Sequence, residues 1–349
     1  MPAMRRLRRT LSHIAAPAAA VVPPPEEIER AYGPLELDEA QADIFAESAA
    51  LDESRAAQTA SGAQKLYGFV DVVNPAPKAL SQEEIEFYNA NGYTHPVRIY
   101  DEAETMANRQ YFDEMMGTLE AEGRSSYSIN GFHMKCRVQW DMAMHPKILD
   151  LVEDVLGPNF VMWGSHFFCK QPHDAAPVPP HQDATYWPFA TSRTCTVWLA
   201  IDDADEENAA MEFISGSHRK AIPWLRTTMP KAVLGNELRE EELAPFGSTY
   251  LNAMEAGCVS LHADLLVHGS QANLSPRRRC GFTLRYCASD CLPVGIRNGE
   301  KGYGGQAMLC RGDPGVWGRP GMHIPAAPQG EDWSPLTPEQ AEAARQAAR

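Results

Sequence analysis

Apolar residues recur at three- and four-residue intervals up to Gly157, then switch to short runs and alternations. In the helical part, Ser81 and Glu84 have capping-box spacing ahead of Ile85, Phe87 and Tyr88, and Asn91-Gly92 breaks the pattern. A second helix is predicted to follow Asp101 and run to about Gly123. A third starts at Pro146, carries Ile148, Leu149, Leu151, Val152, Val155 and Leu156 on one stripe, and stops at Gly157.

Beyond Gly157 the runs Phe160 to Lys170, Thr194 to Ile201, Met211 to Ile214, Cys258 to Val267 and Gly281 to Tyr286 are separated by turn-formers such as Asp202-Asp203, Ser215-Gly216-Ser217 and Asn273-Leu274-Ser275-Pro276. Short strands at this spacing predict an all-β sandwich or barrel preceded by helices. The polar segment 220–255 interrupts them as a long insertion of the lid or binding-loop kind. The expected organisation is a flexible tail over 1–62, one domain over 63–290 and a Gly/Pro-rich extension over 291–349. Within the domain, 63–157 is helical and 158–290 forms the strand core. Loosely attached helix is expected within 26–62, and a short one from Thr337.

Composition narrows the functional classes. Apolar content of 44% and charged content of 22% suit a full globular core. A formal net charge of -15 repels nucleic acid and anionic membranes, so a small-molecule partner is expected. The same charge weighs against polyanionic substrates such as coenzyme A thioesters. No stretch approaches the roughly 18 apolar residues of a membrane span. The eight cysteines include no C-x-x-C pair, which points to reduced thiols. Arg5, Arg6, Arg8 and Arg9 precede an Ala-rich, acid-free run to Pro25 that resembles a weak organelle presequence. Read instead as a plain tail, it leaves a cytoplasmic chain, with organelle targeting as the alternative.

The candidate chemistry centres on His181-Gln182-Asp183. In an extended segment, residues two apart share a face, so His181 and Asp183 can bind one metal. Two histidines and one carboxylate on one face of iron(II) leave three positions open for co-substrate and O2. His262 and His268 are the candidates for the third ligand. Arg279 follows His268 by eleven residues across a turn, placing a bidentate carboxylate binder near the metal; at that offset from His262 stands Asn273. His268 is therefore preferred, with His262 as a supporting histidine.

The string His181 to Phe189 resembles the metal-binding strand of the phytanoyl-CoA dioxygenase family. His268-Gly269-Ser270, Asn273, Ser275 and Arg279 resemble that family's distal histidine and 2-oxoglutarate arginine. Asn208, Met211 and Gly216-Ser217-His218 are similar to its central turn, and the likeness spans roughly Ser81 to Tyr286. It implies a double-stranded β-helix (jelly-roll) core with flanking helices. It further implies Fe(II) on His181, Asp183 and His268, 2-oxoglutarate on Arg279, O2 as oxidant, and hydroxylation of an unactivated carbon. Ser270, Trp198 and Lys135 fall near co-substrate positions of relatives. The carboxylate ligand Asp183 favours oxygen chemistry over the halogenation seen where that position is small. Ala209 replaces a usual glycine and Ser215 a usual proline.

Several residues carry plainer alternatives. Tyr186, Trp187 and Phe189 are core aromatics or substrate contacts; His133, Asn130 and Tyr127 are candidates for the substrate side; His166-Phe167-Phe168 alternates between pocket and core. Arg277 and Arg278 read as a solvated basic turn, and His218 as a turn residue. Gly281 and Thr283 share the parity of Arg279 and leave room for a ligand. A zinc hydrolase and a non-catalytic jelly-roll protein are the rival classes.

Overall fold

A computed structural model describes residues 68–334, apart from 125–128, 292–306 and positions 186, 188, 190, 191, 228, 230, 231, 239, 247, 320 and 321. The tail and its expected helix, the helix expected from Thr337, Tyr127 and Tyr186 lie outside the described residues. Helix α1 spans Gln82–Asn91; the Ser81 hydroxyl accepts from the Glu84 N–H while Glu84 reaches back to the Ser81 N–H. After the short strand β1 (Val97–Arg98), α2 (Glu102–Ala121) starts with the same reciprocal box from Asp101 and Glu104. Helix α3 (Arg137–Ala143) was not visible in the pattern: it has seven residues and no side-chain cap. Helix α4 spans Pro146–Leu156 with proline in its first turn. Its buried Asp154 carboxylate accepts the N–H groups of Lys78, Ala79 and Leu80, pinning the chain before α1.

The strands are β2 (Phe160–Lys170), β3 (Val178–His181), β4 (Thr194–Ala200), β5 (Glu212–Ile214), β6 (Trp224–Arg226), β7 (Asn236–Leu238), β8 (Thr249–Leu251), β9 (Cys258–Ala263), β10 (His268–Ser270), β11 (Arg279–Ala288) and β12 (Met308–Arg311). The six-stranded sheet has order β1-β9-β4-β11-β2-β12, the four-stranded sheet β3-β10-β5-β8, and β6-β7 is a separate hairpin. All pairings are antiparallel. These curled antiparallel sheets form a double-stranded β-helix, as the resemblance implies.

Two expectations of organisation need adjustment. Within 220–255, β8 joins the four-stranded sheet, so the insertion ends sooner than its polarity suggests. Beyond 290, β12 extends the large sheet on β2, and Glu331 accepts from the Tyr111 hydroxyl. The run Cys258 to Val267 is not one strand: β9 ends at Ala263 and a turn leads into β10.

Strand parity sorts the core. On β11, Cys280, Phe282, Leu284 and Tyr286 pack with Phe112, Met115, Phe167, Val197 and Leu199 against the helices. The opposite residues, Arg279, Gly281, Thr283 and Arg285, face the interior between the sheets, across from Lys170, Phe168, His166 and Gly164 of β2. On β4 the inward set is Thr196, Trp198 and Ala200, and on β9 it is Ser260 and His262. Trp198 and Ala200 pack with Phe213 of β5, closing one end of that interior with apolar contacts. All eight cysteines are free thiols. No described helix is long and apolar enough to cross a membrane.

Candidate metal centre

Strand pairing brings the two candidate ligand histidines together: His268 at the start of β10 stands directly opposite His181 at the end of β3, with ring centroids 4.1 Å apart. Gly269 permits this approach, because a Cβ there would sit 2.8 Å from the Val178 carbonyl oxygen. Asp183 is not on the strand, as the two-residue alternation suggests, but opens the 3-10 turn Asp183–Thr185. That turn swings its carboxylate back to the histidines: Oδ1 is 3.5 Å from His181 Nε2 and 3.9 Å from His268 Nε2. Two imidazole nitrogens and a carboxylate oxygen gathered this way could together hold one metal ion. One ligand atom from each of the three residues lies within 4.8 Å of the others.

Each imidazole is oriented by its other nitrogen. His181 Nδ1 donates to the Pro179 carbonyl and His268 Nδ1 to the Leu266 carbonyl, both at 2.9 Å. Both Nε2 lone pairs therefore face Asp183. Burial pushes the His268 imidazolium down, neighbouring His181 adds to this, and the ring stays neutral as ligation requires. Burial raises the Asp183 carboxyl, but His268, His181 and His262 outweigh it and hold the group well below the usual range. Behind the carboxylate, Thr196 Oγ1 lies 3.4 Å and His262 Nε2 3.8 Å from Oδ2. His262 thus stands against the triad but outside it.

Arg279 begins β11 and is 2% exposed. Its Nε donates to the Ala209 carbonyl at 3.1 Å, its Nη2 to Ser270 Oγ at 3.1 Å, and its guanidinium carbon lies 5.8 Å from the Trp198 ring centre. Arg279, Ser270 and Trp198 are thus brought together. The space that Gly281 leaves is not open: the Trp198 indole fills it, 2.0 Å from where a Cβ would stand. Among the described residues Trp198 Nε1 is buried without a hydrogen-bond partner, a donor suited to an acceptor placed beside Arg279. Lys135 is directed elsewhere. Its ammonium meets the Ser334 carbonyl, lies 3.9 Å from Asp332 Oδ2 and 4.1 Å from the Phe132 ring centre. The lysine beside Arg279 is Lys170, its direct cross-strand partner, which donates at 2.6 Å to the carbonyls of Ala176 and Gln271. Burial, with Arg279 adding, pushes the Lys170 ammonium down to about 7.

The turn before Arg279 is built by Asn273, whose amide donates to the carbonyls of Gln171 and Arg277 and whose oxygen accepts from the Ser275 N–H and hydroxyl. Arg277 meets Asp205 and Glu207 at the surface, but Arg278, expected in solvent, is clamped by Asp202 and Asp113 over Phe112. Ala209 sits at φ +64°, the left-handed region where glycine is favoured, while its carbonyl receives Arg279. Ala209→Gly is expected to raise stability by roughly 1 kcal/mol, read as a higher midpoint in thermal unfolding. Ser215 uses the N–H that proline would lack, donating it to the Ser248 carbonyl.

Of the remaining candidates, His218 packs on the end of α1, donates to the Asn89 carbonyl and is pushed down to about 4 by burial. His133 is buried, its Nδ1 bonded to Ser165 Oγ at 2.7 Å, and burial followed by the charge of Arg285 pushes it down to about 3. Asn130 bridges to His166 along the edge of β2. Trp187 and Phe189 pack edge-on to Trp163. Phe167 stacks on Phe282 in the helix-side core, whereas His166 and Phe168 are half-buried on the other face.

Two histidines and an aspartate on the rim of a jelly roll define a mononuclear facial-triad centre. The chain belongs to the phytanoyl-CoA dioxygenase family, whose profile matches residues 66–281. It is 30% identical over 151 residues to a probable alpha-ketoglutarate-dependent hypophosphite dioxygenase of Stutzerimonas stutzeri, covering 42% of this chain and 52% of that one. It is 25% identical over 185 residues to L-proline trans-4-hydroxylase of Streptomyces griseoviridis, covering 47% and 69% respectively. Among solved structures, the non-heme monooxygenase ThoJ in its apo form matches with a TM-score of 0.60 at 22% identity, over 75% of this chain and 97% of that one. The chain spans about half the length of the first curated relatives it matches.

Proposed function

We propose that the chain is an Fe(II)- and 2-oxoglutarate-dependent dioxygenase that hydroxylates an unactivated carbon of a small organic molecule. His181, Asp183 and His268 would hold the ion, and Arg279 with Ser270 would hold the distal carboxylate of 2-oxoglutarate. When bound, ion and keto acid supply the oxidising chemistry: O2 is consumed, 2-oxoglutarate yields succinate and CO2, and one oxygen atom enters the substrate. The observation that carries this reading is the buried Arg279 on the same strand interior as the triad. A permanently charged fork placed there suits a dicarboxylate, and a zinc hydrolase has no use for it. Trp198 Nε1, without a partner among the described residues, also suits an oxygen-rich ligand beside Arg279. Family membership and the relatives' names, which specify hypophosphite and L-proline, support oxygenase chemistry on small molecules.

The test is succinate formation. With Fe(II), 2-oxoglutarate and O2, slow succinate release without added substrate is expected, accelerating with a product heavier by one oxygen atom once a substrate is supplied. Metal-dependent hydrolysis without succinate would refute the proposal.

A further inference from the structure

Resting on the oxygenase reading, we propose that Lys170 is a positioning residue for 2-oxoglutarate: its ammonium anchors the Ser270–Arg279 contact, and co-substrate binding is coupled to its proton. Lys170 ends β2, is 1% exposed and pairs directly with Arg279 at the start of β11. Its side chain shares the interior face with Arg279, opposite the core-facing pair Cys169 and Cys280.

The ammonium closes a seam in the four-stranded sheet. The pairing of β3 with β10 reaches Val178 opposite Ser270, and the residue just outside it, Pro177, has no N–H to continue the ladder. Lys170 Nζ bridges the two chains past that point, donating at 2.6 Å to the Ala176 carbonyl and at 2.6 Å to the Gln271 carbonyl. Gln271 follows Ser270, whose hydroxyl accepts from Arg279 Nη2 at 3.1 Å. Lys170 thus fixes the backbone beside the hydroxyl that orients the guanidinium. Losing that bond frees the Ser270 end of β10, while the His268 ring stays tied to the Leu266 carbonyl.

The charge around Lys170 is lopsided. Both of its partners are neutral carbonyls, and across the strand pair stands a second cation. Like charges paired this way repel, so an anion arriving beside them is favoured. Asp174 in the loop after β2 works against the effect of Arg279, Glu212 of β5 bonds to Gln271, and exposed His173 bonds to the Leu274 carbonyl. Burial, with Arg279 adding, brings the ammonium down to about 7. On the acid side of that value Lys170 is already charged, and co-substrate binding needs no proton. On the alkaline side the free chain has lost the proton, and an arriving carboxylate draws it back. Affinity should therefore fall as pH rises, by up to about tenfold per unit.

The test is isothermal titration of 2-oxoglutarate into the full chain loaded with Mn(II) under argon. The parent is expected to bind about tenfold more weakly at about pH 8.5 than at about pH 6.5. Repeating the alkaline titration in HEPES and in Tris, which differ in protonation enthalpy, should show uptake of close to one proton, against almost none on the acid side. Lys170→Met should bind 2-oxoglutarate at least about tenfold more weakly than the parent at about pH 6.5, with the pH slope gone and Mn(II) affinity unchanged. Circular dichroism checks that the variant folds, and the parent's proton count stands without it. A parent whose affinity is flat across this range with no proton taken up would overturn the inference, as would a Lys170→Met chain that keeps the parental slope. A parent that binds no 2-oxoglutarate at any pH would instead bring down the oxygenase reading, and this inference with it.

Discussion

Asp183→Ala is expected to weaken Fe(II) binding more than about 100-fold, since even partners behind a metal ligand contribute 10- to 100-fold, and to abolish succinate formation. The carboxylate is the only anion of the triad, and it stays well below the usual carboxylate range despite its burial. Without it, two neutral histidines remain to face a divalent ion, too few donors and no charge. Thr196→Val tests the support behind the ligand: with the contact to Oδ2 gone, a loss of roughly tenfold in metal affinity is expected. Equilibrium dialysis against Fe(II) under anaerobic conditions measures both. An Asp183→Ala chain that retains parental affinity would remove the aspartate from the ligand set.

Arg279→Gln is expected to raise the KM for 2-oxoglutarate by roughly 30-fold or more, because truncating a buried, hydrogen-bonded charge costs at least about 2 kcal/mol. Fe(II) binding should change little, since Arg279 is not among the ligand donors. Arg279→Lys should fall between parent and Gln: the charge remains, but Nε and Nη2 no longer serve Ala209 and Ser270 from one planar fork. Steady-state kinetics with 2-oxoglutarate varied, paired with metal titration, separates the two effects. Equal losses of metal and co-substrate affinity would mean that Arg279 acts through the fold instead.

Much of this site was legible because short sequence spacing translates directly into geometry. Strand β2 lies where the apolar run Phe160 to Lys170 places it, and the capping boxes at Ser81 and Asp101 mark two helix starts. The step from His268 to Arg279 crosses a turn that Asn273 stitches, so the eleven-residue offset has a physical cause. What was hidden depends on long-range pairing. Lys170 stands beside Arg279 because β2 and β11 are adjacent and in this register, which parity along either strand does not reveal. Lys135 could not be placed because its partners, Asp332 and Ser334, lie about two hundred residues on, in a segment that reads as an extension. Asp183 leaves the strand because a 3-10 turn begins there, and alternation alone does not announce such a turn. Arg278 is drawn from solvent and half-buried because Asp202 and Asp113 converge on it from β4's end and α2, which a run of three arginines does not reveal.

The account turns on one complex, assembled in the absence of oxygen. Titrating the full chain with Fe(II) and then 2-oxoglutarate should produce a visible metal-to-ligand charge-transfer band that saturates at one equivalent of each. That band should be missing in Asp183→Ala and should require far more 2-oxoglutarate in Arg279→Gln. A parent chain that binds Fe(II) yet gives no such band, or an Arg279→Gln chain that saturates at the parental concentration, would contradict it.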